Sequence, residues 1–494
     1  MIDYTDIFII GGGINGVAIA ADAAGRGLSV RLCEKNDLSA GTSWASSKLI
    51  HGGLRYLEFY EFGLVKKALH EREILLFRAP FLVKPLEFIL PHEKHLRPAW
   101  MIRIGLFLYD HLSMRKTLPG STSISFKNDE RGLELQPHLT RGFSYYDCFT
   151  DDARLVILNA ISAKEKGAII STRTEFISAV REKDYWKITL KNVLNNHIFF
   201  HYAKILCNVT GPWVKETQNK IRTDLTFDIH LDKGSHIVVP KLYDGDFAYI
   251  LQHSDKRIVF AIPYLEKYTL IGTTDVPYMN NPDHITISHE EIDYLCSIIN
   301  RYFKKVIHKN DLIWSYSGVR CLQAKTGHSA ATTTRDFQCL TENINNLPLV
   351  SIIGGKLTTH RVLAESIVNQ LTTKPAWTST ASLPGGDIPD QDFHKFCDAL
   401  QKNYPWLPKN MILRYAKNYG TRVHILLENA HSLHDLGEDF SHGLYQKEVE
   451  YLVKYEWAMT ADDILWRRTK LGLEFSEVEK NKLESWLQNI FEFM

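Results

Sequence analysis

Hydrophobic and polar positions change rhythm from one region of the chain to the next. A short, mostly apolar run, Asp6-Ile7-Phe8-Ile9-Ile10, predicts a strand buried on both faces. Gly11-Gly12-Gly13-Ile14-Asn15-Gly16 follows, then a small-residue helix through Ala24 and a second strand, Leu28 to Cys33, ending on Glu34. Leu64, Ala68, Ile74 and Leu75 form an apolar stripe that predicts a helix from Glu61 to Ala79. Buried-strand runs that close on glycine return later. Ile205-Leu206-Cys207-Asn208-Val209 ends in Thr210-Gly211-Pro212-Trp213, and Leu347 to Ile353 ends in Gly354-Gly355-Lys356, with a helix from about Thr358. Shorter runs bounded by turn formers (Trp186 to Leu190, His236 to Val239, Arg257 to Phe260, Tyr268 to Ile271) predict a second, mostly antiparallel sheet. Beyond Pro384-Gly385-Gly386 helical periodicity takes over, as in Tyr445, Val449, Leu452 and Val453 and in Leu483, Trp486, Leu487 and Ile490.

The opening unit is a complete βαβ dinucleotide fingerprint. Gly11 permits the tight turn, Gly13 lets the backbone approach a pyrophosphate, and Gly16 lets helix pack on strand. The helix N-terminus offers free N–H groups to phosphate, and Glu34 has the spacing of an acid that bonds ribose hydroxyls. NAD and FAD share this fingerprint. The distant returns at Thr210-Gly211 and Gly354-Gly355, with the polar loop from Ser39 to Lys48, suit a long cofactor gripped along its length, so FAD is expected. The predicted fold class is α/β and α+β. A discontinuous Rossmann-like FAD-binding domain covers 1–80, 146–230 and 341–385. An antiparallel-sheet substrate-binding domain covers 81–145 and 231–340, and a separate helical domain covers 386–494.

Composition narrows the partners. With a net charge of +1 over 494 residues, no nucleic acid is expected. The 7 cysteines are scattered without a CxxC pair and read as reduced thiols, with no metal site. Asp3 and Asp6 stand where a signal peptide would carry basic residues, and no apolar run approaches bilayer length, so an intracellular chain with at most peripheral membrane contact is expected. Pro91 to Lys116 stands apart. Lys94, Arg97, Arg103, Arg115 and Lys116 alternate there with Trp100, Met101, Ile102, Ile104, Leu106, Phe107, Leu108 and Tyr109. This pattern fits an interfacial membrane helix, and equally a core helix whose arginines snorkel to water. Pro91 and Pro98 break the helix that would align His92 with His95 as metal ligands.

Several motifs together are more specific than any one. Gly11 to Gly16, Ala45-Ser46-Ser47-Lys48-Leu49-Ile50-His51-Gly52-Gly53-Leu54-Arg55-Tyr56-Leu57, Lys233 to Val239, Ile271-Gly272-Thr273-Thr274-Asp275, Tyr316-Ser317-Gly318-Val319-Arg320 and Gly354 to Thr359 resemble the FAD-dependent aerobic glycerol-3-phosphate dehydrogenases in order and spacing. Ala461 to Lys470 resembles that family's helical tail. The resemblance implies oxidation of sn-glycerol 3-phosphate to dihydroxyacetone phosphate, with FAD as hydride acceptor and a membrane quinone reoxidising it. It implies a peripheral protein on the cytoplasmic face of the membrane, with a cytoplasmic oxidase that makes peroxide as the alternative. The oligomeric state stays open, a homodimer included.

The residues fit such a reaction. A phosphorylated polyol is a dianion, and Arg55, Arg320, Arg335 and Lys356 lie in or beside the motif turns as phosphate ligands. Surface ion pairing is the plain alternative, weightiest for Arg335. His51 and His236 are the candidate bases, unranked. Lys356, with the helix start near Thr358, can stabilise charge on the flavin. Thr42, Ser43, Ser47, Lys48 and Leu49 join Gly11, Gly13, Asn15, Gly16, Glu34, Thr210, Gly211, Gly355, Lys356 and Leu357 as cofactor-binding candidates. Three positions depart from the family pattern. Trp44 replaces a small residue, Cys321 replaces a proline and is expected to loosen a loop after Arg320, and His360 replaces a tyrosine.

Overall fold

A computed structural model describes residues 4–93, 97–253, 255, 257–323 and 336–492. Arg335, His95 and Lys94 lie outside the described residues. Two sheets carry the architecture, with eight and ten strands. The first runs in the order Gln338–Ile344, Leu347–Ile353, Ile198–Asn208, Tyr4–Ile10, Val30–Cys33, Ile169–Ser171. Tyr4–Ile10 pairs in parallel with both Ile198–Asn208 and Val30–Cys33, and Ile198–Asn208 in parallel with Leu347–Ile353. All three glycine turns therefore open at the same, carboxyl-terminal edge, where α/β sheets bind ligands. Ile7, Phe8 and Ile9 are fully buried because helices cover one face and a strand layer the other.

Helix Ile14–Gly25 is almost entirely alanine, glycine and β-branched residues, so it buries nearly all round and packs between Asp152–Glu165 and His360–Leu371. Asp151 caps Asp152–Glu165, its carboxylate accepting from the Arg154 N–H at 3.1 Å. The short run Trp186–Asn192 belongs to this sheet, paired with Thr174–Arg181 and Ile198–Asn208. It is no part of the substrate wall expected of it: its alternation reflects a hairpin layered on the cofactor domain.

The second sheet is antiparallel apart from Lys84–Pro91 beside Phe247–Gln252. Its strand Arg141–Phe149 runs unbroken across residue 146, where the sequence placed a domain boundary, and Leu49–Ile50 joins it as an edge strand. The longest ladder pairs Ile229–Pro240 with Trp314–Gln323, setting His236 opposite Tyr316 and Asp232 opposite Arg320. Cys321 lies inside that strand, opposite Leu231 and buried. Among the described residues, Arg320 is followed by strand through Gln323 and not by a loop. The strand ladder supplies the rigidity that a proline would have brought.

Helices Phe393–Asn403, Lys409–Tyr419, Gln446–Glu456 and Glu477–Glu492 are the longest elements of the tail. They are not a bead on a linker: Tyr415, Leu452 and Leu487 share one buried cluster with Ile7, Val17 and Leu158. Arg154, fully buried, forks onto Glu456, with Nη2 to Oε1 at 2.9 Å. Glu456→Gln leaves that guanidinium with its charge unmatched in the core and should cost about 3–5 kcal/mol, read from the urea unfolding midpoint.

In the segment from Pro91 to Lys116, helix Ala99–His111 buries Leu106 and Tyr109 and exposes Trp100, Ile104 and Phe107 by half or more. Arg103 and Arg115 do not form the outer face. Arg103 donates to the Ser121 carbonyl and hydroxyl at 3.1 and 2.8 Å, and Arg115 pairs with Asp110 at 3.6 Å. The outer face is apolar, and both arginines hold the loop behind it.

Candidate active site

A cavity of about 610 Å³ runs from the fingerprint glycines and Glu34 to Arg320 on the second sheet. That volume falls within the ordinary range for cofactor sites. Gly11 has φ +112°, and a Cβ there would stand 2.7 Å from the Val209 carbonyl oxygen; one on Gly16 would stand 2.0 Å from the Gly11 carbonyl oxygen. Only glycine allows that approach. Gly13 precedes the helix in extended backbone, and the Ile14 N–H donates to Ser43 Oγ at 3.0 Å, which locks the loop over the helix start. The Glu34 carboxylate is aimed by the N–H groups of Gly12 and Asn36 at 2.8 and 2.9 Å. Burial raises its pKa against those bonds.

Thr42, Ser47, Leu49, Thr210, Gly211, Gly355, Lys356 and Leu357 also line the cavity. Thr42 Oγ1 donates to the Val319 carbonyl at 2.6 Å, tying the first loop to the second sheet. Gly354 and Gly355 take φ +78° and +104°, turning the third strand toward Asn15, whose Nδ2 donates to the Gly354 carbonyl at 3.1 Å. Asn15 Oδ1 is buried and has no partner. Trp44, the departure from pattern, lies on Tyr316 at 6.0 Å and donates its Nε1–H to the Ala40 carbonyl at 3.1 Å, so it stacks beside the cavity.

Lys48 is different. Its ammonium turns away from the cavity into the protein, donating to Asp152 Oδ1 at 2.8 Å and to the Trp44 carbonyl at 3.0 Å. The side chain is the loop's internal anchor. Arg55 is also off the cavity wall, 5.9 Å over the Phe59 ring, and its neighbour Tyr56 lines the site under Lys356 Nζ at 3.8 Å. Gly16 acts through packing alone.

His236 is 2% exposed, stacked on Tyr316 at 4.8 Å and 14°, with Ser47 Oγ 2.8 Å from its Nε2 and no partner for Nδ1. Burial, then Lys48 and Arg320, push its pKa down to about 3, so the imidazole is neutral. Gly272 makes room for it, since a Cβ there would stand 2.1 Å from the ring. His51 lines the same cavity, its backbone N–H donating to Thr358 Oγ1 at 3.1 Å. Arg320 lies at the cavity's far end and donates to Asp275 Oδ1 at 2.6 Å, about a third exposed. His360, also neutral with a pKa of about 3 from burial, lies outside the cavity wall and bonds the Leu357 carbonyl at 2.7 Å. Tyr56, Thr273 and Tyr316 escaped the sequence reading as site residues. Strand alternation could have found Tyr316, because Trp314, Tyr316, Gly318 and Arg320 share one face.

The donors fit FAD: a helix N-terminus for the pyrophosphate, a carboxylate at the ribose position and buried orphan atoms at Asn15 and His236. Residues 6–356 match the family model for FAD dependent oxidoreductase, and residues 376–494 match the C-terminal domain of alpha-glycerophosphate oxidase. The chain belongs to the FAD dependent oxidoreductases, and FAD is its cofactor.

Relatives narrow the family further. A glycerol-3-phosphate dehydrogenase of Pseudomonas aeruginosa is 50% identical, covering 98% of this chain and 95% of the relative. The aerobic glycerol-3-phosphate dehydrogenase of Escherichia coli is 48% identical over 98% and 97%. A D-erythritol 1-phosphate dehydrogenase of Brucella abortus is 44% identical over 98% of each. The crystal structure of glycerol-3-phosphate dehydrogenase from Bacillus halodurans complexed with FAD superposes with a TM-score of 0.76 at 26% identity, covering 98% and 94% of the two chains. Within the flavoproteins, the chain is a member of the FAD-dependent glycerol-3-phosphate dehydrogenases.

Gly16→Ala should yield protein that folds yet purifies without the absorbance of bound flavin near 450 nm. The two neutral histidines give a pH dependence of stability. Unfolded, they protonate near pH 6.5; folded, only near 3. Stability from them is complete above about 6.5 and declines as pH falls. Replacing His360 with Gln should remove about 1.4 kcal/mol per pH unit from that slope, measured by urea unfolding between pH 6 and 4.5.

Proposed function

We propose that this chain oxidises sn-glycerol 3-phosphate to dihydroxyacetone phosphate and passes the electrons to a membrane quinone. The observation that carries this is a neutral, buried and oriented imidazole, His236, in one cavity with Arg320, Lys356 and the dinucleotide fingerprint. Bound FAD supplies the hydride acceptor. His236 takes the proton from the C2 hydroxyl as the carbon is oxidised, which a neutral histidine can do near pH 7. Ser47 holds the ring through Nε2 and Tyr316 holds its plane. His51, tied to Thr358 through its backbone, is the second candidate base.

The phosphate dianion is held by Arg320, displacing or sharing its bond to Asp275, and by Lys356 at the start of the turn that leads into His360–Leu371. The cofactor candidates that line the cavity, from Gly11, Gly13, Asn15 and Glu34 to Thr210, Gly211 and Gly355, hold the nucleotide and pyrophosphate. Charge-assisted bonds contribute about 1.5–3 kcal/mol each, enough for these cations to select a phosphate over a neutral polyol.

The apolar outer face supports peripheral membrane attachment. Phe59 and Tyr60 extend the exposed surface of Trp100, Ile104 and Phe107, and Arg97 pairs with Glu58 at 3.1 Å to join the two segments. Among the described residues no helix is long and apolar enough to cross a membrane, which fits a helix lying in an anionic interface.

Anaerobic titration tests substrate and base together. Glycerol 3-phosphate should bleach the flavin with a higher kcat/KM than D-erythritol 1-phosphate; the reverse order would reassign the substrate. His236→Asn should slow bleaching by about 10²–10⁴-fold, with His51→Asn slowing it far less. Arg320→Ala should raise KM about tenfold to a hundredfold and keep FAD. Ile104→Glu with Phe107→Glu should release the protein from anionic vesicles and spare turnover with a water-borne dye. Stoichiometric peroxide without quinone reduction would make the protein an oxidase.

A further inference from the structure

The helical tail packs behind the cofactor cavity through the turn Asp463–Arg468 and the residues up to Lys470. None of them lines the cavity. Arg468, wholly buried, donates to both oxygens of Asp37 at 2.9 and 2.8 Å, just past Glu34. Lys470 Nζ stands 3.2 Å from Asp151 and donates to the Trp466 carbonyl at 2.8 Å. The neighbouring carboxylate, Asp152, accepts from Lys48 Nζ at 2.8 Å and from Ser46 Oγ at 2.7 Å. Ser46 and Lys48 flank Ser47, the residue that meets His236.

A second route starts from the same turn. Trp466 stacks on Trp314 at 4.5 Å and 19°, Trp314 contacts Tyr316 at 5.0 Å, and Tyr316 stacks on His236 at 4.8 Å. One line of contacts reaches the hydroxyl at Nε2, and the other reaches the ring face.

Stability alone accounts poorly for this arrangement. Lys48, Asp152 and Lys470 are buried together beside a half-buried Asp151, and buried ion pairs are on balance a weak way to gain stability. Lys470 also takes φ +61°, a left-handed backbone that a side chain other than glycine adopts at a cost. What the cluster does hold is the orientation of one loop.

We propose that Lys470 and Trp466 are positioning residues for His236: the tail turn fixes loop 44–48 through Asp151 and Asp152 and fixes the imidazole plane through the aromatic ladder. The proposal rests on the reading of His236 as the base. The test uses the full-length, FAD-loaded protein and reads flavin content, KM for glycerol 3-phosphate, and the anaerobic bleaching rate at saturating substrate. Lys470→Met and Trp466→Ala should each slow bleaching by about 10²-fold, the cost of a small misplacement, with flavin content and KM close to the parent's. Lys470→Arg should recover most of the rate. Where Lys470→Met fails to fold, Lys470→Met with Asp151→Asn removes both charges, and Trp466→Ala reads the other route.

Bleaching at the parent's rate in Lys470→Met and Trp466→Ala, when His236→Asn is slow, would overturn the positioning role and leave the base in place. A loss of flavin or a rise in KM that accounts for the whole effect, or no rescue by arginine, would make the tail merely structural. Parent-like bleaching by His236→Asn would instead remove the base assignment itself.

Discussion

The antiparallel register between Ile229–Pro240 and Trp314–Gln323 decides where the chemistry of this protein sits. Side chains alternate along a strand, so one register puts Trp314, Tyr316, Gly318 and Arg320 on the face toward the cofactor, with His236 opposite Tyr316. A slip of one residue would send that set to the other face, taking Arg320 out of the cavity and the Tyr316 ring away from His236. Small residues protect the register. A Cβ on Gly318 would stand 2.9 Å from the Ala45 side chain, and Gly272 leaves room for the imidazole. Thr42, bonded to the Val319 carbonyl, then ties this ladder to the fingerprint loop. The two sheets meet at one seam, and the site is that seam.

Local backbone demands made the cofactor half legible in the sequence. Gly11 and Gly16 must be glycine because carbonyl oxygens occupy the space of their Cβ atoms, and such needs leave a fixed spacing that can be read without a structure. Side-chain direction was not legible. Lys48 and Arg55 sit in the right motif, yet one ammonium points inward to Asp152 and the guanidinium lies over Phe59, because neighbours far along the chain decide where a long side chain goes. The hairpin strand Trp186–Asn192 was misassigned for a related reason: a half-buried alternation is the same on either sheet, and only its partner strands tell them apart. On the core-helix reading the arginines between Pro91 and Lys116 would snorkel to water, whereas Ser121 and Asp110 draw Arg103 and Arg115 inward. The tail's role was invisible because Asp37 and Arg468 lie 431 positions apart.

Electrostatics at His236 serve two ends that compete until substrate arrives. Burial sets the imidazole's low pKa, and Lys48 and Arg320 deepen it. A field that favours a dianion also disfavours a proton, so His236 is neutral but weakly basic. Lys48 is largely answered by Asp152 at 2.8 Å, and Asp275 answers Arg320 at 2.6 Å. A phosphate bound at Arg320 would bring two negative charges to the same cation that depresses the ring. Its effect on the imidazole would therefore be the reverse of the guanidinium's, and in the proposed base role His236 would gain basicity when a phosphorylated alcohol occupies the site. By linkage, the neutral ring costs the dianion little on entry and the protonated ring holds it more tightly afterwards. The substrate's phosphate, remote from the bond that breaks, would thus contribute to the chemistry as well as to binding. A polyol without phosphate would lose both contributions at once.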